Sequence, residues 1–277
     1  MGTSSTLFNA ILARVGADTP LEALFEGLLE RIAHTDADIA DYTPSPFFNT
    51  SDSANAAVRG RELTLVDGGE DNENLPLHPL LLPQRNVSLI LALDNSADTP
   101  LHWPNGSALV QTAEHVRGRG VRFPPVPPGP NTFVNLGLAA RATWFGCADP
   151  DAPLLVYVPN APWARLSNTS TEQLKYGHGK EDALIENGVQ VALQGGDPRW
   201  EECLACAVAY SAAGRANVTG RCGECFAHYC WNGTVNEAAV EGEYMPPLGP
   251  DFKGGAGRVG APAAAFVSLV VLFVVGL

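Results

Sequence analysis

Residues Leu63–Leu77 read LTLVDGGEDNENLPL, and the fold class turns on how that stretch is taken. An apolar run of strand type, expected over Glu62–Asp67, ends in the carboxylate of Asp67. Gly68 and Gly69 follow, then an acidic, amide-rich turn. Open α/β sheets place ligand-facing chemistry at the carboxyl ends of their strands, so a carboxylate there is a candidate site residue. The glycine pair permits backbone angles that other residues resist, which lets the chain turn sharply and leave Asp67 at the lip of a site. Asp and Gly are also ordinary turn residues, and a plain strand-to-turn junction accounts for the same pattern.

Outward from this stretch, Val87–Leu93 and Leu154–Val158 are nearly continuous apolar runs, as strands covered on both faces require. Helices are expected at Ser107–Arg117, at Glu181–Leu193 and from Arg199 to about Ala212. Near the start, Thr19 and Pro20 open an amphipathic pattern with Leu21, Leu24, Phe25, Leu28, Leu29 and Ile32 on one face. Thr43–Asn55 reads as a loop, and Phe123–Pro130 (FPPVPPGP) as a stiff connection. No internal repeat is present.

A chain of 277 residues has room for one large domain or two small ones. Its 17 basic and 30 acidic residues leave a formal charge of −13. That balance argues against nucleic acid as a partner and against electrostatic docking on anionic lipid, because both need net basic surface.

Compartment signals are stronger. Asn49, Asn86, Asn105, Asn168, Asn217 and Asn232 each open an Asn-X-Ser/Thr sequon with no proline in the middle. Chance would supply roughly one or two, so the set indicates glycosylation in the secretory pathway. Ala261–Leu277 (APAAAFVSLVVLFVVGL) is an apolar terminal run with no basic flank after it. It is short for a bilayer span, which needs about 20 residues. With the small residues Gly254, Gly255 and Ala256 upstream, it fits the pattern for attachment of a glycosylphosphatidylinositol (GPI) anchor. A tail anchor is the alternative, though no Lys or Arg follows to hold a cytoplasmic end. The other end disagrees: Met1–Thr6 (MGTSST) carries no basic and no apolar signal-peptide region. It fits the myristoylation consensus by a short match. The expectation that reconciles the two ends is the carboxyl portion of a longer secreted protein, with Met1 internal.

Six cysteines leave two readings open. Cys203-x2-Cys206 and Cys222-x2-Cys225, fifteen residues apart, have zinc-ribbon spacing. Four thiolates would close a structural zinc site with no open position. Yet the Asn217 sequon lies between the pairs, and Cys147 and Cys230 remain as a third pair. In an oxidising compartment up to three disulfides are expected. Cys203 and Cys206 share a helix face, so each is expected to bond into the Cys222–Cys230 segment rather than to the other, with the pairing open.

Longer motifs add a resemblance. They are MGTSSTLFN at Met1–Asn9, LVDGGEDNENLPLHPLL at Leu65–Leu81, LALDNSADT at Leu91–Thr99 and WPNGSALV at Trp103–Val110, then FPPVP followed by NTFVNLGL, and WFGC at Trp144–Cys147. Together they resemble the fungal lysophospholipase (phospholipase B) family across essentially the whole chain. The resemblance implies an α/β fold, the carboxyl-terminal part of a catalytic domain of the type shared by patatin-like and cytosolic phospholipases, with a disulfide-rich end. It implies residues 1–245 as that domain with a cysteine-rich end at 200–232, a linker over 246–260, and an anchor signal over 261–277. The implied activity is hydrolysis of fatty-acyl esters of lysophospholipids by a Ser–Asp dyad, with no cofactor or metal, on a secreted or cell-surface protein held to the membrane by a GPI anchor. Asp67 matches the dyad aspartate, which takes the serine proton during attack on the ester. Glu70, Asp71, His78 and Asp94 match no such role and read as loop and turn polarity. The family's serine sits in a Gly-x-Ser-Gly-Gly turn, and no Gly-x-Ser-Gly occurs in this sequence. The chain alone is therefore expected to be inactive and to fold poorly. The rival expectations are a non-catalytic GPI-anchored surface glycoprotein and a zinc-stabilised module at Cys203–Cys225.

Overall fold

The computed structural model describes residues 40–51, 56–65, 73–170, 173, 175–213, 215 and 217–250. The helix expected after Thr19, Asp67 with its glycines, and the apolar tail lie outside the described residues. The chain divides into two compact units, one up to Asn74 and one from Leu75 onward.

In the first unit, β1 (Ala40–Tyr42) pairs antiparallel with β2 (Leu63–Leu65), Ala40 opposite Leu65. Described residues from the two ends of the connection between them meet. Ser45 N–H donates to Arg61 C=O at 2.7 Å, and the Arg61 guanidinium lies 5.1 Å from the Phe48 ring centre. Leu65 is 47% exposed, so the described rungs of β2 form a two-stranded ribbon rather than a buried strand of a larger sheet.

The second unit is built on three strands, β3 (Leu89–Asp94), β4 (Thr143–Phe145) and β5 (Leu154–Pro159), in the order β3-β5-β4. β3 and β5 run parallel, Leu89 opposite Leu154, and β4 runs antiparallel to β5. Helices α1 (Ser107–Val116) and α2 (Pro130–Asn135) lie between β3 and β4 in the chain. After β5 come α3 (His178–Ala192), α4 (Trp200–Ala213) and α5 (Gly220–Tyr229). The fold class is mixed α/β, as expected, and the sheet is small among the described residues.

All six residues of β5 are buried, because each face of the strand carries its own core. On one face Leu155 and Tyr157 pack with Ile90, Ala92, Leu109, Phe133 and Phe145. On the other, Leu154, Val156 and Val158 pack with Trp144, Trp200, Phe226, Tyr229 and the cysteines of α4 and α5. The start of α1 needs a glycine. Gly106 has φ +87°, and a Cβ there would come within 2.3 Å of the Phe133 ring.

β3 corrects the expectation of two covered faces. Ile90 and Ala92 are buried, but Leu91 and Leu93 are 50% and 65% exposed.

The zinc reading is overturned at α4 and α5. Cys203 bonds to Cys225, Cys206 to Cys222, and Cys147 to Cys230, so no thiolate is left to ligate a metal. Pairing the first cysteine of one helix with the second of the other forces the two helices antiparallel. Cys147–Cys230 then ties the end of α5 to the segment after β4, where Trp144 stacks on Tyr229 at 5.2 Å between ring centres. Arg215 adds a clamp from the residues after α4. Its buried guanidinium donates to the carbonyls of Ser211, Asp149 and Ala152, holding the loop that leads into β5.

Candidate functional site

The carboxyl ends of β3 and β5 lie side by side, the place where a parallel pair presents ligand-facing chemistry. Asp94, the last residue of β3, is 2% exposed. Its Oδ2 accepts from the Tyr157 hydroxyl at 2.7 Å and its Oδ1 from Ser96 N–H at 3.0 Å. Tyr157 is wholly buried on β5, and burial first, then the charge of Asp94, pushes its hydroxyl well above the usual range for a tyrosine. The phenol therefore remains a donor to Asp94.

The loop from Asn95 to Gly106 is braced from within. Thr99 Oγ1 donates to Trp103 C=O at 3.1 Å and accepts from Trp103 N–H at 3.0 Å. His102 takes a left-handed backbone, φ +59°, at the tip of that turn. Asp98 then reaches the start of α1, where its carboxylate accepts from Asn105 N–H at 3.3 Å. Burial, followed by the charge of Asp94, raises the Asp98 carboxyl to about 6, while the amides of Asn105 and Ala108 pull it the other way. Asp98 is thus a carboxyl able to hold or release a proton in mildly acidic solution.

Its effect on stability follows from linkage. A folded-state value of about 6 lies above the ordinary 3.8, so the stabilising contribution is full below pH 3.8 and is lost as pH rises through 6. Asp98→Asn keeps an oxygen acceptor for the helix start and removes the charge. The variant should be more stable than the parent by about 2 kcal/mol at pH 7.5 and nearly equal to it at pH 4, read by urea unfolding at the two pH values. Equal stabilities at both would show that Asp98 ionises without cost.

Beside Asp94, the segment after β5 is held by amides. Asn160 N–H donates to Asp94 C=O at 2.8 Å, and Asn160 Oδ1 accepts from the Ser167 hydroxyl at 2.6 Å. Asn187, fully buried on α3, is the hub. Its Oδ1 accepts from Ala164 N–H at 2.9 Å and Arg165 N–H at 3.1 Å. Its Nδ2 donates to Ala161 C=O at 2.9 Å and to Ser167 Oγ at 2.7 Å. Arg165 Nε meets Glu186 at 2.7 Å next to it. Ser167 is no nucleophile: amides surround its hydroxyl, and an amide cannot take its proton. This arrangement holds the segment after β5 firmly against α3.

A second polar cluster joins α4 to α5. Asp197 accepts from Arg199 and from the Tyr229 hydroxyl, each at 3.1 Å. The Arg199 hydrogen bond is the main reason the Asp197 carboxyl is held below its ordinary range. Burial, then the Asp197 charge, pushes the Tyr229 hydroxyl up to about 12. These contacts fasten the ends of the disulfide-linked helices.

Of the residues singled out in the sequence, Asp67 lies outside the described residues, as do Glu70 and Asp71. His78 opens a short 3₁₀ turn at His78–Leu80. Asp94, read as structural, is buried and doubly hydrogen-bonded as such a residue should be. The Asn160–Ser167–Asn187 set and the proton-holding Asp98 were not anticipated. Asn187 leaves one trace in sequence: an amide on the stripe Leu184, Asn187, Val191 that faces the core.

The lysophospholipase catalytic domain family matches residues 1–236. Lysophospholipase 3 of Aspergillus fumigatus is 47% identical over 266 residues, which cover 90% of this chain and 42% of that protein. Lysophospholipase 2 of the same species is 47% identical over 264 residues, covering 90% and 44%. The lysophospholipase of Penicillium chrysogenum is 41% identical over 258 residues, covering 87% and 42%. The chain spans about two fifths of the length of these relatives. No solved structure matches it.

Proposed function

The chain belongs to the lysophospholipase catalytic domain family, and on that premise we propose that it serves as part of a lysophospholipase. The reaction is hydrolysis of the fatty-acyl ester of lysophospholipids. The observation that carries this reading is the family match over residues 1–236, which includes the LVDGGEDN motif of Asp67. In the reaction a serine oxygen attacks the ester carbonyl while its proton passes to Asp67. Backbone amides stabilise the oxyanion, and the glycerophospho-alcohol leaves with a proton. Water then releases the fatty acid from the acyl-serine. The serine belongs to a Gly-x-Ser-Gly-Gly turn that this sequence does not contain. The finer fold follows the patatin-like and cytosolic phospholipases, supported by the parallel β3–β5 pair with polar residues at its carboxyl end.

The test is fatty-acid release from lysophosphatidylcholine. The chain alone should release none. Substituted for the matching stretch of Aspergillus fumigatus lysophospholipase 3, it should give a joined protein that does. A folded but inactive joined protein would overturn the reading.

The protein acts at the cell surface or outside the cell, carried there as a GPI-anchored glycoprotein. The sequons and disulfides support this location. The sequons are not equivalent. Asn49, Asn86, Asn217 and Asn232 are exposed, whereas Asn105 and Asn168 are half-buried. Asn105 Oδ1 accepts from both the N–H and the hydroxyl of Ser107, and Asn168 Nδ2 donates to Leu101 C=O at 2.9 Å. Secreted from a eukaryotic host, the protein should carry glycans at the four exposed sites and little at Asn105 and Asn168. Peptide mapping after enzymatic deglycosylation in heavy-oxygen water reads this directly. High occupancy at Asn168 would show that attachment precedes burial there.

A further inference from the structure

Beyond Cys230 the chain stays fastened to the second unit. Trp231 N–H donates to Trp144 C=O at 2.9 Å, and the Trp231 ring lies 5.9 Å from that of Phe145, centre to centre. The next residues are held by α2. Asn135 Nδ2 donates to the carbonyls of Asn236 and Ala238, each at 2.9 Å, and Asn131 Nδ2 to that of Glu237 at 3.3 Å. Thr132 completes the set: its N–H donates to Glu237 Oε1 at 3.2 Å, and its hydroxyl oxygen accepts from Asn236 N–H at 3.0 Å. The family match stops at residue 236, yet the docking continues past it.

Further along, Tyr244 packs against the core built on Leu155 and Tyr157. Pro246, Pro247 and Pro250 follow, and proline fixes its own backbone while holding the residue before it extended. Between them Gly249 N–H donates to Pro162 C=O at 2.8 Å, and a Cβ on Gly249 would come within 2.6 Å of Trp163 Cα. Pro162 is three residues past the end of β5, so it lies within about 11 Å of that end. The same segment reaches the site loop, where Asn168 Nδ2 donates to Leu101 C=O at 2.9 Å. Pro250 therefore emerges at the carboxyl ends of β3 and β5. The turn between α4 and α5 marks the opposite end. There Arg215 holds the carbonyls of Asp149 and Ala152 ahead of β5, and Ser211 Oγ lies 3.2 Å from Ser88 Oγ ahead of β3.

We propose that residues 231–250 are a strap that fixes where the membrane tether leaves the protein, turning the carboxyl ends of β3 and β5 toward the bilayer that holds the chain. The partner surface is the lipid of that same membrane. This rests on the proposed anchoring for the tether and on the proposed function for the reaction at that end. Residues 251–260 separate Pro250 from the apolar run and reach at most about 35 Å when fully extended. A unit of about 180 residues is about 40 Å across, so the α4–α5 end cannot meet the bilayer unless the tether crosses the whole unit. Lysophospholipid of the same leaflet is thereby presented to the site end.

The experiment uses the joined protein built on Aspergillus fumigatus lysophospholipase 3, keeping residues 237–260 of this chain and placing a hexahistidine where 261–277 stood. It is bound to phosphatidylcholine vesicles that contain a nickel-chelating lipid and an acceptor-labelled lipid. Because the tag supplies the attachment, the result does not depend on the chemistry of the natural anchor. A fluorescent amino acid replaces either Pro100, exposed in the site loop, or Asn217, exposed in the α4–α5 turn. Energy transfer to the bilayer should be about twice as efficient or more from position 100 as from position 217, since β5 alone separates the two ends by about 20 Å. Inserting about 40 Gly and Ser residues after Pro250, with an r.m.s. reach of about 35 Å, should bring the two efficiencies together. Gly249→Val, which drives the strap off Trp163, should do the same on the short tether while leaving hydrolysis of micellar lysophosphatidylcholine in free solution unchanged. If the joined protein does not fold, co-expressing the uncovered portion as a separate chain gives the same readout. Equal transfer from both positions on the short tether overturns the strap. So does a preference for position 100 that survives the long tether, which would mean that the site end adheres to lipid by itself. Unequal transfer without hydrolysis of micelles upholds the strap and sinks the lysophospholipase reading; hydrolysis with equal transfer does the reverse.

Discussion

Asp67→Asn in the joined lysophospholipase should reduce hydrolysis of lysophosphatidylcholine by about 10³-fold or more, since it removes the only group assigned to take the serine proton. Asparagine has nearly the same shape and keeps an oxygen acceptor, so the change isolates proton transfer from packing. KM should move little while kcat falls, because the carboxylate acts in the attack and not in holding the lipid. The melting midpoint should be unchanged, which separates this result from misfolding. A variant that retains more than a tenth of the parental kcat would remove Asp67 from the dyad. Glu70 and Asp71 would then be the next carboxylates to test, being within four residues of it in the same acidic stretch of sequence.

Asn187→Leu should destabilise the chain by about 3–5 kcal/mol, a large share of a domain's net stability. Leucine matches asparagine in size but cannot hydrogen-bond. The N–H groups of Ala164 and Arg165 and the Ala161 carbonyl would be buried without their partner. Each such group costs about 1–3 kcal/mol when left unmade. Ser167→Ala should cost only about 1 kcal/mol, because Asn160 and Asn187 can still meet directly at 3.4 Å. Urea unfolding of oxidised protein measures both. A loss below 1 kcal/mol for Asn187→Leu would mean that the segment after β5 rearranges to find new partners.

Elements whose signal is local were legible in the sequence. The unbroken apolar run at Leu154–Val158 is the buried β5, and the 3.6-residue periodicities mark α1, α3 and α4 within a few residues. Helix α5 was missed although Cys222, Cys225, Phe226 and Tyr229 follow the i, i+3, i+4, i+7 spacing. Two glycines and the cysteine pattern drew the segment toward a metal or loop reading instead. β4 is three residues, too short to show a period, and becomes a strand only because β5 lies beside it. The exposure of Leu91 and Leu93 was not legible, because apolar composition records what can be buried and not which element covers it. The site divides in the same way. Asp67 stood out by motif alone, whereas Asp98 draws its character from burial beside Asp94, and Asn187 from the Ala161–Ser167 segment twenty or more residues before it in the chain.

The three disulfides are concentric: Cys206–Cys222 lies inside Cys203–Cys225, and both lie inside Cys147–Cys230. No bridge crosses another, so the innermost can close first without trapping a thiol needed later. A protease that cuts once anywhere between Cys147 and Cys230 leaves the two pieces covalently joined. Of the second unit's framework, β5 and helices α3 to α5 lie within that span. That nesting amounts to tolerance of nicking: exposed turns can be cleaved while the strand and helices they connect stay together.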